Sequence, residues 1–132
     1  MHNIEIGAKT VERIVVSADM VIDFLKLADA RVLSTPQMIL FMERVSRNNA
    51  IRFLAEGFDT VGTKVNVSHL KSAPLGSEVT FTSEIASATD KRVEFRVTAA
   101  TDTQLIGEGT HERAIIDKAR FAAGNAAKMK TG

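Results

Sequence analysis

Two hydrophobic periods organise this chain: a helical one from Pro36 to Ala55 and a strand-like one, repeating every second residue, through most of the chain beyond Gly62. At 100° per residue, Ile39, Glu43, Ala50 and Leu54 fall within roughly 60° of one another, and Gln37, Arg44, Asn48 and Arg52 form a polar stripe about opposite. Ser34-Thr35-Pro36 marks the start of this helix, with Thr35 as expected N-cap and Pro36 at the first helical position. Gly57 supplies the stop, which predicts a helix of ~30 Å.

Further along, Val65, Val67 and His69 alternate with Lys64, Asn66 and Ser68, then Val79, Phe81 and Ile85 with Thr80, Thr82 and Glu84. Val93, Phe95, Val97 and Ala99 repeat the pattern after a turn at Thr89-Asp90-Lys91, and a second turn at Asp102-Thr103 leads into a strand over Leu105 to Ile116. There Gly107 and Gly109 share a face with His111 and Arg113, so another backbone can approach closely. Before the long helix, β-branched residues between Lys9 and Ala18 predict a first strand. Asp19 is placed to cap a short helical segment through Leu27, with Ala28 to Leu33 irregular, and Ala119 to Met129 reads as a terminal helix.

One long helix and about five strands, the last three joined as an antiparallel meander, imply an α+β fold whose sheet bends around its single covering helix. A length of 132 residues fits one domain, 1–132, with no internal repeat. Hydrophobic residues at 45% and charged residues at 25% match ordinary globular proteins. A formal net charge of +1, with Phe as the sole aromatic type, gives no reason to expect a nucleic-acid partner. The absence of cysteine excludes disulfides, thiolate catalysis and thiolate-bound zinc. No stretch reaches the ~18 apolar residues of a membrane span and the first residues do not read as a signal peptide, so cytoplasmic residence is the default expectation. The segment after Asp117 carries only positive charge, in Lys118, Arg120, Lys128 and Lys130, and reads as a solvated basic face.

Glu43 is the candidate that matters most. The helical reading sets its carboxylate within the apolar face, where burial costs several kcal/mol unless a partner or a raised pKa offsets it. The plain alternative is an ion pair with Arg47 one turn on, contributing about 0.2–0.5 kcal/mol. Thr35 can be a simple cap, or can lend its hydroxyl to chemistry as well. His69 can be a satisfied core histidine or a proton shuttle beside Glu43 or Thr35. His69, His111 and Glu112 lack the close spacing of metal ligands, so no metal is expected, and Gly57 to Gly62 has no phosphate-loop lysine.

Thr35, Glu43 and His69, with Val61-Gly62-Thr63-Lys64-Val65-Asn66-Val67-Ser68-His69 and Ile106-Gly107-Glu108-Gly109-Thr110-His111-Glu112-Arg113, resemble the hot-dog-fold thioesterases of the fluoroacetyl-CoA thioesterase type. The resemblance covers about Leu33 to Ile116. It implies hydrolysis of an acyl-CoA thioester by a homodimer without a cofactor. Thr35, Glu43 and His69 match that family's catalytic trio, and Gly62 and Arg113 match positions of its active site. In such a site Glu43 would act as general base or as nucleophile, N–H groups of Gln37 and Met38 at the helix start would hold an oxyanion, and Arg113 would be a candidate for CoA phosphates. Thr35 and Glu43 lie ~12 Å apart along one helix, so a pocket lined by two subunits is one way to bring these groups together. The family's aromatic gate before the helix has no counterpart in Leu25 to Leu33, which offers Lys26, Asp29 and Arg31, so fluoroacetyl selectivity is not carried over. Two rival readings remain: a non-catalytic acyl-thioester binding module, and an enoyl-CoA hydratase or dehydratase on the same scaffold.

Overall fold

The alternation of apolar and polar residues becomes a five-stranded sheet in the computed structural model, which describes residues 2–131. The strands are β1 (Lys9–Val15), β2 (Phe58–His69), β3 (Glu78–Ala88), β4 (Arg92–Ala100) and β5 (Leu105–Asp117), and the helices are α1 (Thr35–Ile51) and α2 (Lys118–Thr131). All neighbours pair antiparallel, in the order β1-β3-β4-β5-β2. β3, β4 and β5 are the expected meander, and β1 and β2 close the two sides. Thr89 and Thr101 set its turns, their hydroxyls accepting backbone N–H bonds from Arg92 and Gln104 respectively (3.1 Å each).

The sheet bends around α1, and the core lies between them. Val79, Phe81 and Ile85 of β3 and Val93, Phe95 and Val97 of β4 meet Met38, Phe41, Met42 and Val45 of α1, all buried. Phe41 and Phe81 pack as tilted rings with centroids 5.3 Å apart. Each such side chain contributes about 1.5–3 kcal/mol by leaving water. Two buried polar residues are satisfied inside this core: Ser46 donates to Ser83 Oγ (3.0 Å), and Asn49 Nδ2 donates to the carbonyls of Ala8 and Ser83 (2.8 and 3.1 Å).

Four local expectations are corrected. The buried face of α1 is Met38, Phe41, Met42, Val45, Ser46, Asn49 and Ala50, not the stripe through Ile39, Glu43 and Leu54. The larger apolar volume at i, i+3, i+4 and i+7 from Met38 decides the rotation, leaving Glu43 on the helix flank. The N-cap is Ser34, whose Oγ accepts from Gln37 N–H at 3.2 Å, so Thr35 opens the helix proper. The helix also ends early, at Ile51. Phe53 N–H turns back to the Ala50 carbonyl in a tighter turn, and Gly57 (φ 91°) sits in the turn before β2 rather than as the helix stop. Between β1 and α1 there is no capped helix from Asp19, only single 3₁₀ turns at Ala18–Met20 and Ala28–Ala30. Asp117 caps α2, its Oδ1 accepting from Arg120 N–H at 3.1 Å.

β2 is an edge strand, with Val65 40% exposed. Its pairing with β5 slips between Gly62 and Lys64, so Thr63 is an extra residue, pinned by its hydroxyl to the Glu112 carboxylate (2.8 Å). Among the described residues no helix is long and apolar enough to cross a membrane.

Candidate active site

Two polar clusters lie along the seam between α1 and the β2–β5 pair, one at the helix start and one two turns on. At the start, Thr35 Oγ1 and His69 Nδ1 are 2.7 Å apart. Thr35 is exposed, whereas the far ring nitrogen of His69, Nε2, is buried with no hydrogen-bond partner among the described residues. An unpaired buried polar atom costs about 1–3 kcal/mol, an expense that calls for an explanation. The expected oxyanion donors are not free here: Gln37 N–H bonds the Ser34 hydroxyl and Met38 N–H bonds the Ser34 carbonyl at 3.0 Å.

At the second cluster, Glu43 Oε2 accepts from Arg113 Nη1 at 3.5 Å. The Glu43 side chain keeps 37% exposure in the single chain, so it borders solvent instead of sitting within an apolar face. Gly62 walls it closely. A Cβ built on Gly62 would lie 2.7 Å from Glu43 Oε2 and 3.4 Å from His111 Cε1, so only glycine leaves the carboxylate where it is. Arg113 is 6% exposed, too deep and too committed for the expected CoA-phosphate role. Its Nε donates to Thr60 Oγ1 (2.7 Å) and its Nη2 to the Thr60 carbonyl (3.0 Å). Burial lowers its pKa, Glu43 opposes that, and a guanidinium stays charged throughout. The pair with Arg47 that would have explained Glu43 away does not form, because Arg47 bonds Asp59.

Glycines also shape the strand beneath. A Cβ on Gly107 would strike Met38 Sδ at 2.6 Å, and one on Gly109 would strike the Asn66 carbonyl at 2.2 Å, so α1 and β2 both lie against β5. The cleft over the second cluster, about 270 Å³, is lined by Leu40, Glu43, Arg44, Arg47 and Arg113. A larger groove of about 480 Å³ runs past Arg13, Glu78 and Asp102, but none of the site residues lines it. The sequence had not pointed to Thr60, which anchors Arg113; the available signal was a polar residue two positions before Gly62, at a buried place on β2.

Comparison with known proteins finds matches both in sequence and in fold. A family model described as fluoroacetyl-CoA-specific thioesterase matches residues 15–119. A fluoroacetyl-CoA thioesterase of Streptantibioticus cattleyicolor is 36% identical over 92 residues, a stretch that spans 70% of this chain and 66% of that protein. The solved structure of the fluoroacetyl-CoA thioesterase FlK superposes with a TM-score of 0.85 at 29% identity, covering 96% of this chain and 98% of that one. A Thermus thermophilus hypothetical protein of the thioesterase superfamily superposes with a TM-score of 0.89 at 30% identity, covering 99% and 97%.

Proposed function

The chain belongs to the fluoroacetyl-CoA-specific thioesterase family, and from that premise we propose that it is a thioester hydrolase of hot-dog fold that splits an acyl-CoA into free acid and CoA. The observation that carries this reading is the Glu43 carboxylate, held by one edge of a buried cation and kept uncrowded by a glycine. Such a group is fit either to take a proton from an attacking water or to attack the thioester carbonyl itself. Both routes begin from the carboxylate that Arg113 steadies. His69, with one nitrogen on Thr35 and the other without a partner among the described residues, is placed to carry a proton to or from the reacting atoms.

The two clusters join in a homodimer. β2 offers an unpaired edge with Val65 at its middle, and Leu40 and Leu70 are exposed nearby. Antiparallel pairing of two β2 edges about a two-fold axis near Val65 sets Gly62 and Glu43 of one chain beside His69 of the partner subunit and Thr35 of the partner subunit. The whole chain, 1–132, acts as one domain in this arrangement. Cytoplasmic residence belongs to the same reading, supported by the multiply charged CoA ester, which does not cross a bilayer.

Selectivity for a fluoroacetyl group is not carried over from the family. In the segment before α1, Lys26, Asp29 and Arg31 stand where an aromatic gate would be, and Phe24 is 74% exposed. The test is thiol release from a panel of acyl-CoA esters of graded chain length, run beside a sedimentation measurement of mass. Release from several esters by a dimer is the expected result. Binding without release from any ester would replace the hydrolase by a binding module, and loss of enoyl-CoA absorbance without free thiol would replace it by a hydratase.

A further inference from the structure

Resting on the hydrolase reading, we propose that His111 is a positioning residue for Glu43, acting through Arg113 as a fixed hydrogen-bond acceptor. A guanidinium only donates hydrogen bonds, and a carbonyl only accepts them. Arg113 Nη1 lies 3.2 Å from His111 Nε2, and the Lys64 carbonyl lies 2.8 Å from His111 Nδ1. Nε2 must therefore present its lone pair to Arg113, and Nδ1 must carry the proton that it donates to Lys64. Two neighbours fix one tautomer of a neutral ring.

The ring itself cannot drift. His111 is 2% exposed, and it stacks on Phe95 with centroids 6.0 Å apart and planes 27° from parallel. Burial holds its pKa below the usual 6.5, the Arg113 charge adds to that, and the Lys64 carbonyl, Glu43 and Glu112 oppose it. The charges that act on it are those of Arg113, Glu43 and Glu112. Arg113 is thus gripped on three sides, by Thr60 Oγ1, the Thr60 carbonyl and His111 Nε2, which leaves one Nη1 edge to reach Glu43. Without the His111 acceptor, the planar guanidinium loses one of the three contacts that fix its plane, and with it the aim of the Nη1 proton that reaches Glu43.

Two substitutions separate positioning from mere packing. His111→Gln keeps an acceptor oxygen near the place of Nε2, whereas His111→Asn keeps an amide near Nδ1 for Lys64 and leaves Arg113 without its acceptor. In thiol release, His111→Asn is expected to lower kcat by about 10–100-fold with KM nearly unchanged, and His111→Gln to recover most of that loss. In the parent, ¹⁵N NMR should show an Nδ1–H imidazole at neutral pH, and the Arg113 side-chain resonances should move in His111→Asn but stay near the parent in His111→Gln. An Nε2–H ring, a kcat equal to the parent in His111→Asn, or equal losses in both variants would overturn the proposal. If the parent releases no thiol from any ester, the hydrolase reading falls by itself; the NMR tautomer and the Arg113 and Glu43 carboxylate shifts then decide the positioning claim.

Discussion

Arg47 and Glu43 lie one turn apart on α1, and each meets an opposite charge from the strands. Arg47 gives both arms to Asp59, Nε to Oδ1 at 2.9 Å and Nη2 to Oδ2 at 2.6 Å. The hydrogen bond from Arg47 holds Asp59 below the usual carboxylate range and burial works against it, with Thr60 N–H and the charges of Arg47 and Lys118 adding to the lowering. That pair is closed, since both carboxylate oxygens are engaged. Glu43 receives a single contact at 3.5 Å, because Thr60 and His111 already take three of the five N–H donors of its cation. The difference teaches where stability ends and function begins on this surface: one carboxylate is satisfied by its arginine, and the other is only steadied by it.

The sharpest way to break this contrast is to remove each carboxylate in turn. Glu43→Ala is expected to lower kcat/KM roughly 10²–10⁴-fold, the range for loss of a general base, while Asp59→Ala keeps kcat within about threefold. Thiol-release kinetics measures both, and equal losses would erase the distinction. Next in size is the glycine wall. Gly62→Ala drives a methyl to within 2.7 Å of Glu43 Oε2, and displacement of that carboxylate should cost about 10²-fold in kcat while circular dichroism shows an intact fold.

The smallest effect is in stability against pH. His111 has a folded pKa below 6.5, so folding leaves it neutral where the unfolded chain takes up a proton. No stability is lost above the unfolded value, and loss sets in as pH falls below it, with a slope of at most about 1.4 kcal/mol per pH unit. Asp59 acts in a lower window: its contribution is present above about 3.8 and declines as pH falls toward its depressed folded value. Denaturant melts from pH 7 to 3 should show the first slope vanish in His111→Gln and the second in Asp59→Asn. Parallel curves for parent and variants would show that neither group titrates as described.

The strands were legible because alternation over many residues leaves one solution for which face is buried, as at Val93, Phe95 and Val97. The rotation of α1 was not, because Ile39 and Leu54 look as apolar as Met38 and Met42 until a sheet chooses between them. The cap was misplaced by one residue for a similar reason: Ser34 and Thr35 are both good caps, and only backbone geometry separates them. At the site, the trio Thr35, Glu43 and His69 and the accompanying Gly62 and Arg113 were named through the family resemblance, and the structure sets them in two groups, Thr35 with His69 and Glu43 with Gly62 and Arg113. Thr60 and the link through His111 were not expected because sharing a strand face does not by itself say which side chains hydrogen-bond. They arise where β2 pairs with β5.

Thr63, the extra residue in β2, has a consequence for both clusters. Gly62 and His69 are seven positions apart, an odd number, which in a regular strand would send them to opposite sides of the sheet. The half-step inserted at Thr63 resets the phase, so that both look toward α1. Removing that one amino acid would change no catalytic atom, yet it would turn the imidazole away from the helix and take it from the Thr35 hydroxyl.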